Sequence, residues 1–215
     1  MSEKKSSMVK DAVILCLITL ILGAVLAGVY AVTKAPIEAA QIKANNEACA
    51  AVVAEGDKVQ DSDAGKVENA AAYFGGHGLA NEELTAGDTL GNYVEVSEVH
   101  PTDKGGTVYL AAAKKGYGGE IGFALGVDEK GAITGISITS QSETAGLGAN
   151  CVNKEWQDGF VGKTAPETAG NEMYSKNGAT ESQVQAISGA TVTSRGITRA
   201  VKAILFYDES VRGAK

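Results

Sequence analysis

The chain has 215 residues, 44% of them hydrophobic but only 6% aromatic, and a formal net charge of −7. That length gives one ordinary domain with attachments, with enough apolar material for a core. An acidic, aromatic-poor chain lacks the basic face that nucleic acids require, so no nucleic-acid partner is expected.

The charge is unevenly spread. Residues 1–33 hold 3 basic and 2 acidic side chains, and the remainder holds 16 basic and 24 acidic. Residues 1–11 are polar, with Lys4, Lys5 and Lys10. Residues 12–33, from Ala12-Val13-Ile14-Leu15 through Val32-Thr33, are almost unbroken apolar sequence. At about 1.5 Å per residue they span roughly 33 Å as a helix, enough to cross a hydrocarbon core of about 30 Å. The core of a cleavable signal is shorter, about 7–15 residues, so a retained transmembrane helix is expected. The preceding lysines place the N-terminus in the cytoplasm and the rest of the chain on the extracytoplasmic side of the cytoplasmic membrane.

Residues 34–91 read as a helical spacer and the first part of a soluble domain. The alanine-rich run from Ile37 to about Glu55 has apolar residues at helical spacing. Gly56 through Gly65 is an acidic surface loop. Residues 67–91 mix Ala70-Ala71-Ala72-Tyr73-Phe74 with Gly75-Gly76 and Gly78 and show no clear period.

Strand signals begin at Asn92. Tyr93–Val99, Thr107–Ala113, Glu120–Asp128 and Ala132–Thr139 read as four strands separated by short turns, which predicts an antiparallel meander. Gly116, Gly119 and Gly122 suggest a dinucleotide fingerprint. The pattern after Gly122 is β rather than the helix N-terminus that a pyrophosphate needs, and Gly119 is one residue late, so that reading is rejected.

Ser142-Glu143-Thr144-Ala145-Gly146-Leu147-Gly148 forms a loop whose backbone can approach a flat ligand. Trp156 reads as core rather than as a stacking platform. Residues 161–180 are a polar excursion. The run Val184-Gln185-Ala186-Ile187 then leads into Ser188-Gly189-Ala190-Thr191-Val192-Thr193-Ser194. Val192, Ile197, Val201, Ile204 and Leu205 follow at helical spacing, predicting a helix over about 191–207 and a frayed tail at 208–215. The start of that helix exposes unpaired N–H groups and a positive dipole end, which suits a phosphate. Arg195 and Arg199 add positive charge one turn apart.

Cys16, Cys49 and Cys151 make no CxxC pair and no iron–sulfur spacing. Cys16 packs in the apolar run. Cys49 and Cys151 read as two buried thiols rather than a bridge, although an oxidising compartment would permit one. His77 and His100 have no second ligand at motif spacing, and no metal site is expected.

Taken together, G-Y-G-G, two strands, S-E-T-A-G-L-G, Trp156 and Phe160, then S-G-A-T, resemble the FMN-binding domain family over residues 92–207. Ala145 stands where that family usually has proline, and Gln185 where its flavinylation motif has aspartate. The resemblance implies an α+β fold with an antiparallel sheet and flanking helices behind the N-terminal transmembrane helix. It implies covalent FMN, attached through its phosphate to the oxygen of Thr191 by a separate flavin transferase. Thr193 and Ser194 are the competing hydroxyls. Glu143, Thr144, Leu147 and Gly148 would line the flavin, with Gly118, Ser188, Gly189, Ala190 and Thr193 as further contacts. No residue is expected to be catalytic in itself, because the cofactor does the redox chemistry. One N-terminal helix, a short spacer and this domain resemble the G-subunit family of Rnf-type complexes, which couple electron transfer between ferredoxin and NAD to Na⁺ or H⁺ translocation. That resemblance implies membrane and iron–sulfur partner subunits and an electron carrier that does not turn over substrate alone. The alternatives are the C subunit of a Na⁺-translocating NADH:quinone reductase, or a membrane-tethered binding domain with no redox role.

Overall fold

A computed structural model of the chain describes residues 2–76, 83–85, 88–168 and 170–213. His77 and Gly78, singled out above, lie outside the described residues. The first helix, α1 (Ser2–Ala51), includes Pro36. The chain divides into two compact units, Met1–Ala44 and Asn45–Lys215.

In the first unit, α1 is long and apolar enough to cross a membrane. Its leucines are turned outward, with Leu20 and Leu26 each 69% exposed. By length and composition this apolar stretch is a candidate membrane span.

The second unit is built on a four-stranded sheet in the order β3-β4-β5-β6. These strands are β3 (Val94–Pro101), β4 (Thr107–Ala113), β5 (Ile121–Val127) and β6 (Ile133–Ser140). Every pairing is antiparallel, with Ala113 opposite both Val94 and Ile121, as a meander joined by short turns requires. A short pair, β1 (Glu83–Thr85) and β2 (Asp88–Thr89), precedes it.

The two central strands read Thr-Val-Tyr-Leu-Ala-Ala-Ala and Ile-Gly-Phe-Ala-Leu-Gly-Val because both of their faces are covered. One face carries Tyr109, Ala111, Phe123 and Leu125, which pack with Ile197, Ala200, Val201 and Ile204 of the closing helix α4 (Thr191–Gly213). The other face carries Val108, Leu110 and Ala124, which pack with Ala48, Cys49 and Val52. The stretch expected to be a spacer therefore supplies a layer of the soluble core. Cys49 and Cys151 are free thiols buried in separate clusters, in keeping with two buried thiols rather than a bridge.

The first part of residues 67–91, which show no clear period in the sequence, and the end of the expected loop at Gly56–Gly65 lie in the helix α2 (Ala64–Gly76). Asp63 Oδ1 accepts from the N–H groups of Gly65 and Lys66 at its start, at 3.0 and 3.2 Å. Tyr73 and Phe74 pack against Tyr207 in an aromatic cluster. That cluster explains why α4 passes its expected end at 207. Tyr207 donates to the Lys66 carbonyl, Tyr109 donates to Asp208 at 2.7 Å, and Arg212 donates to the Glu129 carbonyl at 3.1 Å, so tertiary contacts hold another turn and a half.

A short helix, α3 (Lys154–Asp158), and a two-residue parallel pair, β7 (Tyr174–Ser175) with β8 (Val184–Gln185), bring the chain back to the start of α4. Trp156 donates its indole N–H to the Gln185 carbonyl at 2.9 Å and packs edge-on against Phe160, so it serves the core.

Candidate functional site

The start of α4 is fixed by a buried hydroxyl. Ser194 Oγ accepts from the Ile187 N–H at 2.9 Å and donates to the Ala190 carbonyl at 3.0 Å, closing the Ser188–Gly189–Ala190 turn on itself. Gly189 has φ +73°, the left-handed region that favours glycine, and a side chain there would also press on Leu147. This local geometry sets Thr191 at the first position of the helix, half-buried.

The next hydroxyl of that turn looks inward. Thr193 is 1% exposed and donates to Glu143 Oε2 at 2.5 Å. The other carboxylate oxygen, Glu143 Oε1, accepts from the Gly118 N–H at 2.8 Å. One buried side chain thus joins three segments distant in sequence: the β4–β5 turn, the loop after β6, and α4. Gly148 permits this closeness, because a Cβ at that position would strike both Glu143 and Thr193. In the same loop, the Thr144 carbonyl accepts from the N–H groups of Leu147 and Ala149.

These segments enclose a cleft of about 420 Å³ lined by Tyr117, Glu143, Thr144, Leu147, Gly148 and residues 189–193. Because Thr191, Val192 and Thr193 are all lining residues, the leading N–H groups of α4 and the positive end of its dipole lie at the cleft. The sequence predicts arginine charge here as well. Arg199 is instead turned away, bound through its guanidinium to Glu172 and to the Tyr93 hydroxyl. The helix's phase carries residue 199 to the core side, and a buried guanidinium needs a carboxylate there. Lys202, fully buried, donates to the Asn171 carbonyl in the same region.

Residues 116–205 match the FMN-binding domain, and residues 1–52 match the RnfG N-terminal region. Residues 116–205 belong to the FMN-binding domain family.

All three segments of the cleft fall inside that domain. Among relatives, the G subunit of the Na⁺-translocating ferredoxin:NAD⁺ oxidoreductase complex of Acetobacterium woodii is 40% identical over 89 residues, 40% of this chain and 41% of that one. The G subunit of the ion-translocating oxidoreductase complex of Aliivibrio fischeri is 38% identical over 106 residues, 47% of this chain and 49% of that one. These alignments thus span about half of each relative or less. The G subunit of the proton-translocating ferredoxin:NAD⁺ oxidoreductase complex of Clostridium ljungdahlii is 28% identical over 206 residues, 96% of this chain and 92% of that one. Among solved structures, NqrC of Shewanella oneidensis has a TM-score of 0.45 at 23% identity, covering 56% of this chain and 64% of that one.

The residues of the FMN-binding domain fit such a cofactor. A glycine-backed cleft admits a flat ring system, and a helix start at its edge suits the phosphate. Of the residues singled out from sequence, Glu143, Thr144, Leu147, Gly148, Gly189, Ala190, Thr191 and Thr193 come together as lining. Gly118 and Ser188 do not line the cleft: Gly118 braces Glu143 from behind, and Ser188 is exposed at the turn. Sequence reasoning missed Tyr117 and Val192. An aromatic side chain set between glycines in a turn was the available signal for the first.

Proposed function

We propose that this chain is a membrane-anchored electron carrier that holds FMN by a phosphoester to Thr191, as one subunit of an ion-translocating ferredoxin:NAD⁺ oxidoreductase complex of the Rnf type. The observation that carries this reading is the division of labour among three neighbouring hydroxyls. Ser194 closes the turn, Thr193 is bound to Glu143, and Thr191 stands half-buried at the cleft on the first residue of α4. The family match over 116–205 supports FMN as the ligand, and the match over 1–52 favours the G-subunit assignment over a quinone-reductase subunit.

On this reading the leading N–H groups of α4 hold the phosphate. Glu143, tied to Gly118 and Thr193, keeps the loop and the helix at a fixed separation. Leu147 and Val192 offer apolar contact to the ring, and Thr144 and Gly148 shape the wall. The bound group supplies reversible electron transfer, and the protein supplies position and electrostatics. Covalent retention suits a carrier on the extracytoplasmic side of the membrane, where a dissociated cofactor would be lost. A flavin transferase installs it, and ferredoxin and NAD are handled by partner subunits, including iron–sulfur and multi-span membrane proteins. The apolar helix of α1 anchors the chain, with its N-terminus in the cytoplasm.

The test is in-gel flavin fluorescence of denatured protein co-expressed with a flavin transferase. A fluorescent band that disappears in Thr191→Ala, with a matching mass increase on the peptide containing Thr191, is expected. A dark band from the wild-type chain overturns the reading.

A further inference from the structure

Tyr117 is 72% exposed, an unusual position for an aromatic ring in a chain with so few. Leu147 is 43% exposed and Val192 39%. Among the described residues of the unit 45–215, three of the six large apolar side chains left exposed therefore belong to the lining of one cleft. They arrive from three different segments: the β4–β5 turn, the loop after β6, and the first turn of α4.

The exposure of Tyr117 is not the fraying of a loose turn. On one side, the Gly118 N–H is bound to buried Glu143, and a side chain at Gly118 would collide with the Ser142 carbonyl. On the other, the Lys115 carbonyl seats so closely against Gly196 of α4 that a Cβ there would strike it. Lys115 also lies over the Tyr93 ring, its Nζ 4.4 Å from the centroid. The backbone on both sides of Tyr117 is thus fastened to the core, and the ring is held in water beside the cleft. Apolar surface presented in this way, next to a cavity of ligand size, marks a contact for a flat apolar group.

We propose that Tyr117 is a cofactor-contacting residue whose ring covers the flavin and limits solvent access to it, with Leu147 and Val192 completing the apolar enclosure. This deepens the reading above and rests on it. Because the Tyr117 side chain stands mostly in solvent, its removal perturbs the ligand and leaves the fold intact.

The experiment uses the full chain, matured with a flavin transferase and purified in detergent, as wild type, Tyr117→Ala and Tyr117→Phe. Collisional quenching of the flavin emission by iodide is read for each, alongside unfolding temperature and flavin content. Tyr117→Ala is expected to raise the iodide quenching constant severalfold and to change the visible circular dichroism of the flavin, with unfolding temperature and flavin content unchanged. Tyr117→Phe, which keeps the ring, is expected to restore the wild-type quenching constant. A flavin-bearing Tyr117→Ala whose iodide quenching and dichroism match wild type overturns this proposal alone, and so does a Tyr117→Phe that behaves as Tyr117→Ala. A wild-type chain that carries no flavin overturns the functional reading, and this proposal with it.

Discussion

Glu143 is the side chain whose loss should tell most about how the cleft is held. Its two oxygens accept from the Gly118 N–H and the Thr193 hydroxyl, and it is 8% exposed. Glu143→Ala strands both donors. Each hydrogen bond to a charged acceptor contributes about 1.5 kcal/mol at the low end, giving a loss of about 3 kcal/mol. For a unit of this size that is a fall in unfolding temperature of roughly 6–12 °C, at about 2–4 °C per kcal/mol. Glu143→Gln behaves differently. Its amide oxygen still accepts from Gly118, and the Thr193 hydroxyl can rotate to accept from the new NH₂ group, so only the charge assistance is lost. The expected cost is about 1 kcal/mol, or roughly 2–4 °C. Thermal unfolding of the full chain in detergent, followed by circular dichroism, separates the two. In a double-mutant cycle with Thr193→Val, Glu143 and Thr193 should couple by about 1–2 kcal/mol. Equal destabilisation by Ala and Gln, or no coupling to Thr193, would refute the view that this carboxylate joins the walls of the cleft.

Arg199→Ala should cost about 3–5 kcal/mol, measured by denaturant unfolding, because it leaves Glu172 partly buried without its guanidinium, yet the folded fraction should still take up flavin normally. Gly189→Ala should cost about 1–2 kcal/mol in the same assay, since φ +73° is strained for any residue with a Cβ, and it should also lower flavin incorporation by moving Leu147. Burial, with the Glu143 charge nearby, pushes the Cys151 thiol from its ordinary 9.0 up to about 11. The unfolded thiol ionises at the lower value, so its contribution to stability is complete below about pH 9 and is lost as pH rises toward 11. Cys151→Ala should flatten the stability curve over that window relative to wild type, and alkylation of Cys151 by iodoacetamide at pH 8 should require unfolding. Thr191→Ala should remove the flavin while leaving the unfolding temperature of the unloaded protein within about 1 °C, because a half-buried hydroxyl at a helix start carries little of the fold.

The sequence by itself determined the elements whose signal is local. The apolar run in α1, the four strands of the meander and the helix beginning at Thr191 all follow from hydrophobic periodicity and turn chemistry, which act over a few residues. Most of the cleft lining was legible for a related reason, since glycine and hydroxyl residues in tight turns advertise close backbone approach. What only the tertiary structure decided is which distant groups meet. Arg199 reads as positive charge at the start of α4 until Glu172 and Tyr93 are seen to claim it, and α4 reads as ending at 207 until Tyr109 and the Glu129 carbonyl are seen to hold its next turn. Ala48, Cys49 and Val52 read as spacer until the far face of the sheet needs covering. In each case the deciding free energy comes from a partner tens of residues away. Neither propensity nor spacing records where such a partner lies.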